Sequence, residues 1–508
     1  MRGLVLALLS LFIVNSDTGQ YLPQILSNSV SLIERDGSPE AIYPLLWKGA
    51  NQGAVDAKAL LVSYAKQDQD PSLSSYWLDK LVSQNTPSAA WALYQQHRQD
   101  PSYVKYLKLA AQGGVAEAQL VYAMSVNEPM QRESWLLKSA QQDYVPAQTA
   151  LADWYLLQHQ PHKAKPWLAK TAPLDSQSAF KYGRLLWNEQ SFDLAREWLN
   201  RSADKGNTQA KRFVVLISEY TPQAPEAVSR LTWPTDKQCY QRIQLFATSL
   251  STLSRADELY EKYKQDTRLA ELPICIAPPL WLKHDVVACS DNYQGQRRLG
   301  CDIRPLAPAI ERRDITHAVI VAEQGKANIN NGVMYLDLSD AYSVFVHELA
   351  HFAGFIDEYP LSRMAARRYC SEADSNEPLP INPPNLVFDG QITYAPQSTL
   401  NNWLARQSSL VISESKTCES IGVRSYKPTG EMTFMEHHDL GVIPPLYLAL
   451  WRAQLANPNT QRPISMNLFQ GFHANGQQAK AGYWLDRYQN ATKPLAEHEK
   501  NSGTESAI

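Results

Sequence analysis

Between roughly residues 40 and 215 apolar and polar positions repeat with a period near 30. An aromatic followed by Leu stands at Trp77, Tyr106, Trp135, Trp167 and Trp198, in steps of 29, 29, 32 and 31 residues. Behind each pair comes a second apolar segment, keyed by Ala90, Ala118, Ala147, Ala179 and Ala210 on nearly the same beat. Two helical segments per unit at this period predict an all-α solenoid over residues 21–220, because each helix pair can bury its apolar face only against its neighbours. The small Ala positions let helices approach closely, and the Trp and Leu side chains fill the space between them. The unit at 161–190 is irregular, having lost the glycine of the best copy and carrying Pro161, Pro166 and Pro173.

After Tyr220 the beat fades, and "YTPQAPEA" has the prolines of a linker. The stretch "QRIQLFATSLSTLSRADELYEKYKQD" (241–266) reads as helical and leads into a Cys- and Pro-rich region, so residues 221–310 form a linker and the lead-in to a second domain. "ITHAVIVAE" (315–323) has the β-branched density of a buried strand, and "GVMYLDLS" (332–339) alternates like a half-exposed one. Asn331 and Gly332 supply a tight turn between them. Ser339 or Asp340 is placed to cap a helix beginning near Ala341, and Gly354 to end it. Residues 311–490 therefore read as a compact α+β domain, making the chain multidomain, with a polar, disordered tail at 491–508.

Composition narrows the possible partners. The chain has 44% apolar and 19% charged residues and a net charge of -3, so it lacks the basic surplus of a nucleic-acid binder. Residues 1–16 have the layout of a signal peptide, one Arg and then an apolar run from Leu4 to Val14. That run is well short of the ~20 apolar residues a membrane span needs, so no stable membrane insertion is expected and the chain is placed in the periplasm or outside the cell. Six cysteines, the first at Cys239, permit up to three disulfides or remain in part as buried thiols. The absence of any C-x-x-C pair argues against a cysteine zinc cluster or a thioredoxin-like redox motif.

Chemistry concentrates in "HELAHFAGFIDEY" (347–359). On a helix His347 and His351 project from one face, one turn apart, where two imidazoles can grip one tetrahedral metal. Glu348, beside the first imidazole, cannot easily reach that metal but can accept a proton from a water bound to it. A lone H-E-x-x-H arises by chance in on the order of one chain in a hundred. Here it follows two strands, lies on an apolar helix and is succeeded by a stop glycine and a carboxylate.

Two resemblances extend this reading. The repeats, "YVKYLKLAAQGGVAEAQLVYA" above all, resemble the Sel-one-like variety of tetratricopeptide repeat, which implies a possible protein partner on the repeat domain. The motif resembles that of the zincin metallopeptidases, more narrowly the metzincin pattern H-E-x-x-H-x-x-G-x-x-H/D, with His347, Glu348, His351 and Gly354 matching. That resemblance implies Zn2+ held by His347, His351 and Asp357, Glu348 as catalytic base, and a peptide or protein substrate. Glu358, His437 or His438 stands open as an alternative third ligand. Met435 or Met432 would form a methionine turn under the metal, Tyr426, Tyr447 or Tyr359 would steady an oxyanion, and "GVMYLDLS" would receive the substrate strand. The implied function is that of an exported zinc metallopeptidase. Its alternatives are a repeat-based scaffold with a structural or inactive metal site and a zinc amidase acting on cell-wall peptides.

Overall fold

The computed structural model describes residues 31, 43–68, 70–235, 238–295, 297–370, 383–388 and 397–493. The expected signal peptide lies outside them, as does the expected tail from residue 494 onward. The chain divides into two compact units, Met1–Ala210 and Lys211–Ile508.

The first unit is a run of paired helices: α1 (Tyr43–Asn51), α2 (Val55–Gln67), α3 (Pro71–Ser83), α4 (Pro87–Gln96), α5 (Val104–Gln112), α6 (Ala116–Ser125), α7 (Pro129–Ala140), α8 (Val145–Leu157), α9 (Pro161–Thr171), α10 (Ser176–Asn188) and α11 (Phe192–Asp204). The next helix, α12 (Thr208–Glu219), runs across the division. The repeat aromatics fall on the odd-numbered helices from α3 to α11, the key alanines on the even-numbered ones from α4 to α12. Leu78, Leu107, Leu136, Leu168 and Leu199 and all five alanines are buried. Left-handed residues close the turn within five of these pairs, at Gly53, Asn85, Gly114, Asp143 and Gly206. Glycine is therefore one solution among several, since Asn and Asp also tolerate that conformation. Gly113 has a separate duty: a Cβ there would lie 2.1 Å from the Pro87 ring. In the irregular unit Pro161 takes the first turn of α9, where its missing N–H costs nothing, while Pro166 lies inside the helix.

The second unit is mixed α/β. A five-stranded sheet has the order β2-β1-β5-β7-β6, built from β1 (Gln241–Ala247), β2 (Ile274–Trp281), β5 (His317–Val321), β6 (Asn328–Asn330) and β7 (Val333–Leu336). The pairs β1/β2, β1/β5 and β5/β7 are parallel, and only β6/β7 is antiparallel. The stretch 241–266, expected to be helical throughout, opens with strand β1 and becomes helix only at α13 (Leu250–Gln265). Residues read as a lead-in thus supply two strands of the sheet that carries the motif. The two prolines of β2, Pro278 and Pro279, are tolerated because β2 is an edge strand. All four residues of β7 are buried, so it is an interior strand covered on both faces and not half-exposed.

Helix α13 packs against β1, β2 and β5, and α15 (Tyr342–His351) against β6 and β7. The core cluster around Phe246, Ile320, Val333 and Tyr335 also takes in Ala309 and Ile310 of α14 (Ala307–Arg313), and Leu468 and Phe472 of α19 (Ile464–Ala474). It reaches Trp484 of α20 (Gln478–Thr492), a helix that continues two residues into the segment expected to be disordered. A short hairpin, β3 (Cys289–Ser290) with β4 (Gly300–Cys301), and a three-stranded sheet of β8 (Val387–Phe388), β10 (Ser425–Lys427) and β9 (Ser413–Ser415) complete the strands described. Helices α16 (Arg363–Cys370), α17 (Gln397–Arg406) and α18 (Pro445–Leu455) complete the helices the site uses.

All six cysteines are paired, as Cys239–Cys275, Cys289–Cys301 and Cys370–Cys418. Such cross-links persist in oxidising compartments. Among the described residues no helix is long and apolar enough to cross a membrane.

Candidate metal centre

The turn Asn331–Gly332 between β6 and β7 has positive φ at both residues, the geometry of a tight antiparallel hairpin. It delivers the chain through β7 to helix α15, whose residues 345–350 are buried. The cap position is Ala341, not the expected Ser339 or Asp340. Those two are engaged in the preceding turn: Ser339 donates to Asp337, and Asp340 accepts from the Asp337 N–H. Gly354 adopts φ +82°, ends the helix and swings residues 355–359 back along it.

That reversal brings Asp357 to the two histidines. Asp357 Oδ1 lies 2.9 Å from His347 Nε2 and 3.2 Å from His351 Nε2, and the two Nε2 atoms are 3.2 Å apart. A tetrahedral zinc with ligands at about 2.0 Å separates them from one another by about 3.3 Å, so the triangle matches one face of such a site to within a few tenths of an ångström. The other ring nitrogens fix the tautomers. His347 Nδ1 lies 2.8 Å from the Phe434 carbonyl and His351 Nδ1 2.8 Å from the Phe355 carbonyl. A carbonyl can only accept, so both Nδ1 atoms carry protons, and the two Nε2 atoms are the nitrogens turned toward Asp357. With their Nε2 atoms deprotonated, the two imidazoles and the carboxylate oxygen would surround one point with three acceptors, a place able to take a cation. Burial pulls the His351 imidazole toward its neutral form, but the Asp357 carboxylate outweighs that and pushes it up to about 9. Asp357 itself, despite burial, is held far below the usual carboxylate range by His351 and His347.

Glu348 is 8% exposed, and its candidate ligand atom lies within 4.8 Å of those of His347 and His351, a group able to hold a metal ion. Burial pushes its carboxyl up, against the pull of His351 and His347.

Glu358 faces elsewhere. It is 1% exposed, and its Oε1 accepts from Tyr447 at 2.5 Å and Asn385 at 2.9 Å, its Oε2 from Thr433 at 2.6 Å. Lys427 Nζ stands 3.5 Å away and pairs more closely with Glu436, at 2.6 Å. With its oxygens so occupied, Glu358 is a buried anchor. His437 and His438 are exposed and stand outside the His-Glu-His group, and His438 Nδ1 lies 3.1 Å from the Ser343 hydroxyl. Neither caps α18, whose cap position is Pro444.

The turn around Met435 grips the site twice: the Phe434 carbonyl holds His347, and the Met435 carbonyl accepts the Glu358 N–H at 3.0 Å. Met435 is fully buried, whereas Met432 is 56% exposed. Of the three tyrosines, Tyr447 is bound to Glu358 and Tyr426 lies in β10. Tyr359 alone neighbours the histidines, its ring parallel to His347 within 13° at 6.4 Å. Burial and the Asp357 carboxylate, with which it hydrogen bonds, push the Tyr359 phenol well above its usual range. The strand expected to receive substrate, β7, is paired on both sides by β5 and β6, so the edge available beside α15 is β6.

Several contributors left no mark in the motif. Asn385, fully buried, donates to the Ile356 carbonyl and accepts its N–H, substituting for a missing strand. Thr417 Oγ1 donates to the Asp357 carbonyl at 2.8 Å, next to the Cys370–Cys418 bridge.

No protein-family model matches the chain, and no curated protein is similar to it. Among solved structures, the chain is similar to a Sel1 repeat protein from Oxalobacter formigenes. The match is 18% identical, covers 35% of this chain and 70% of that one, and has a TM-score of 0.25.

Proposed function

We propose that this chain is an exported zinc-dependent peptidase whose helical repeats bind a protein partner or the substrate. The observation that carries the reading is the triangle of His347 Nε2, His351 Nε2 and Asp357 Oδ1 with the buried Glu348 beside it. Two imidazoles and a carboxylate are a donor set suited to zinc with one position left open. A zinc ion bound there would supply Lewis acidity, polarising a carbonyl and lowering the pKa of a water. Glu348, its carboxyl raised by burial and thus a stronger base than a solvated carboxylate, is placed to take a proton and return it to the leaving amine. Tyr359 is kept protonated by burial and the Asp357 carboxylate, so its hydroxyl has a proton to donate to a developing oxyanion. The β6 edge offers an extended peptide main-chain partners beside the metal helix. Export to the periplasm or beyond is supported by the three disulfides.

The test compares wild type with Glu348→Gln for bound zinc and for cleavage of a mixed peptide library. Zinc at one per chain in both, with turnover reduced roughly 10²- to 10⁴-fold in the variant, is the expected result. Wild type that binds no zinc, or that binds it and cleaves no peptide, overturns the reading.

A further inference from the structure

We infer that Lys427 is a positioning residue of the metal centre: its ammonium, held between Glu358 and Glu436, fastens the Met435 turn to the turn that carries Asp357, so that one buried charge aligns two of the three ligands. This rests on the metal site of the reading above and is independent of the substrate.

Lysine is almost never fully buried unless it is paired. Lys427 is the last residue of β10, its backbone opposite Ser413 of β9, and its side chain is only 5% exposed. Its Nζ lies 2.6 Å from Glu436 Oε2 and 3.5 Å from Glu358 Oε2. Those carboxylates are themselves 19% and 0% exposed. Among the described residues no second cation pairs with either of them.

The two carboxylates lead to different ligands. Glu436 stands two residues beyond Phe434, whose carbonyl meets His347 Nδ1 at 2.8 Å. Its N–H donates to the Thr433 carbonyl at 3.0 Å, closing the turn on itself. Glu358 directly follows Asp357, and its N–H donates to the Met435 carbonyl at 3.0 Å while its Oε2 accepts from Thr433 Oγ1 at 2.6 Å. The turns that place His347 and Asp357 thus lie against each other, and each carries a carboxylate toward the same lysine.

Two like charges taken out of water repel strongly, and here the repulsion would drive the two turns apart. Lys427 converts it into attraction on both sides. Stability alone would not call for a lysine, because well-packed apolar residues often replace a buried ion pair or triad at no cost. Only a cation can draw on both carboxylates at once, and what it fixes is the direction of the Phe434 carbonyl relative to Asp357. Groups that orient metal ligands in this way commonly set metal affinity by 10- to 100-fold.

The experiment uses the full-length protein, stripped of metal and reloaded with Zn2+ or Co2+, as wild type, Lys427→Met, Lys427→Arg and the double variant Lys427→Met with Glu436→Gln. Zinc affinity is read by chelator competition, ligand geometry by the visible bands of Co2+, and folding by the urea midpoint of the metal-free protein. Lys427→Met is expected to raise the zinc dissociation constant roughly 10- to 100-fold and to alter the Co2+ bands, and Lys427→Arg to restore most of both. The double variant removes one of the two carboxylates left unpaired, so it should regain the urea midpoint without regaining the affinity or the Co2+ bands. It also carries the test if Lys427→Met alone does not fold. Unchanged affinity and Co2+ bands in Lys427→Met, or an affinity that returns with the urea midpoint in the double variant, overturns the assignment and leaves the metal site standing. Wild type that binds no zinc overturns both, and zinc-bound wild type that cleaves no peptide overturns the peptidase reading alone.

Discussion

Asp357 and Glu358 are adjacent in the chain, yet their carboxylates serve opposite sides of one turn. The first lies against both imidazoles, and the second is held by Asn385, Thr433 and Tyr447. A shared main chain links the two roles, since fixing Glu358 fixes the direction in which Asp357 points.

The two positions should therefore fail differently. Asp357→Asn is expected to weaken zinc binding by at least 100-fold, measured by chelator competition, with little change in the urea midpoint of the zinc-free protein. Glu358→Ala leaves the buried donors of Asn385, Thr433 and Tyr447 without their acceptor and is expected to cost about 3 kcal/mol in urea unfolding. A variant of Glu358 that is fully stable and zinc-free would make it a ligand and contradict this division.

The Cys370–Cys418 bridge should tune metal affinity from a distance. Cys418 follows Thr417, which holds the Asp357 carbonyl, and Lys416 donates its N–H to the Glu358 carbonyl. The bridge closes a separation of 48 residues, which in the chain-entropy account contributes about 4 kcal/mol. Replacing both cysteines by Ser is expected to lower the midpoint of unfolding and raise the zinc dissociation constant roughly tenfold. The same replacement at Cys239 and Cys275 should lower stability without that change in affinity.

Acid should destabilise the second unit through His317. This imidazole is 1% exposed in β5 and lies against the Phe352 ring at 4.6 Å. Burial, assisted by the charge of Arg242, depresses it to about 3. Because the unfolded chain binds this proton near pH 6.5 and the folded one does not, stability is complete above that pH and falls as pH drops toward 3. Each unit of separation is worth about 1.4 kcal/mol, so the loss reaches a few kcal/mol. His317→Leu should flatten that part of the pH–stability curve, and an unchanged slope would reject the account.

In the repeats, the alanines are expected to tolerate no enlargement. Ala147 is fully buried, and Ala147→Leu should cost about 1 to 3 kcal/mol in the thermal unfolding of the first unit. Zinc stoichiometry should not change.

The sequence makes some of this legible and hides the rest for definable reasons. The repeat beat is visible because each aromatic and each alanine takes the same place in successive helix pairs. His347, Glu348 and His351 are visible because their geometry is local to a single helix, whereas Asp357 enters only through the resemblance, since its place depends on Gly354 together with Asn385, Thr417 and the anchored Glu358. Strand β1 is hidden, since six of its seven residues are buried and no alternation separates it from the helix that follows. Asn385, Thr417 and Thr433 are hidden for another reason: their partners lie 27 to 75 residues away, and no local pattern encodes such hydrogen bonds. The status of β7 depends likewise on its neighbours, because a run such as VMYL fits an edge or an interior strand until its pairing is known.

The two margins of the five-stranded sheet are unlike. One is β2, whose Pro278 and Pro279 lack donors and deter another strand from joining, while the other is the short β6 beside α15. Any chain that docks by main-chain pairing, including a second molecule of this protein or a misfolded bystander, is thereby directed to the margin next to the helix that carries His347 and His351. Crowding should act on this protein as self-inhibition before it acts as precipitation, with activity per molecule falling at high concentration and returning on dilution.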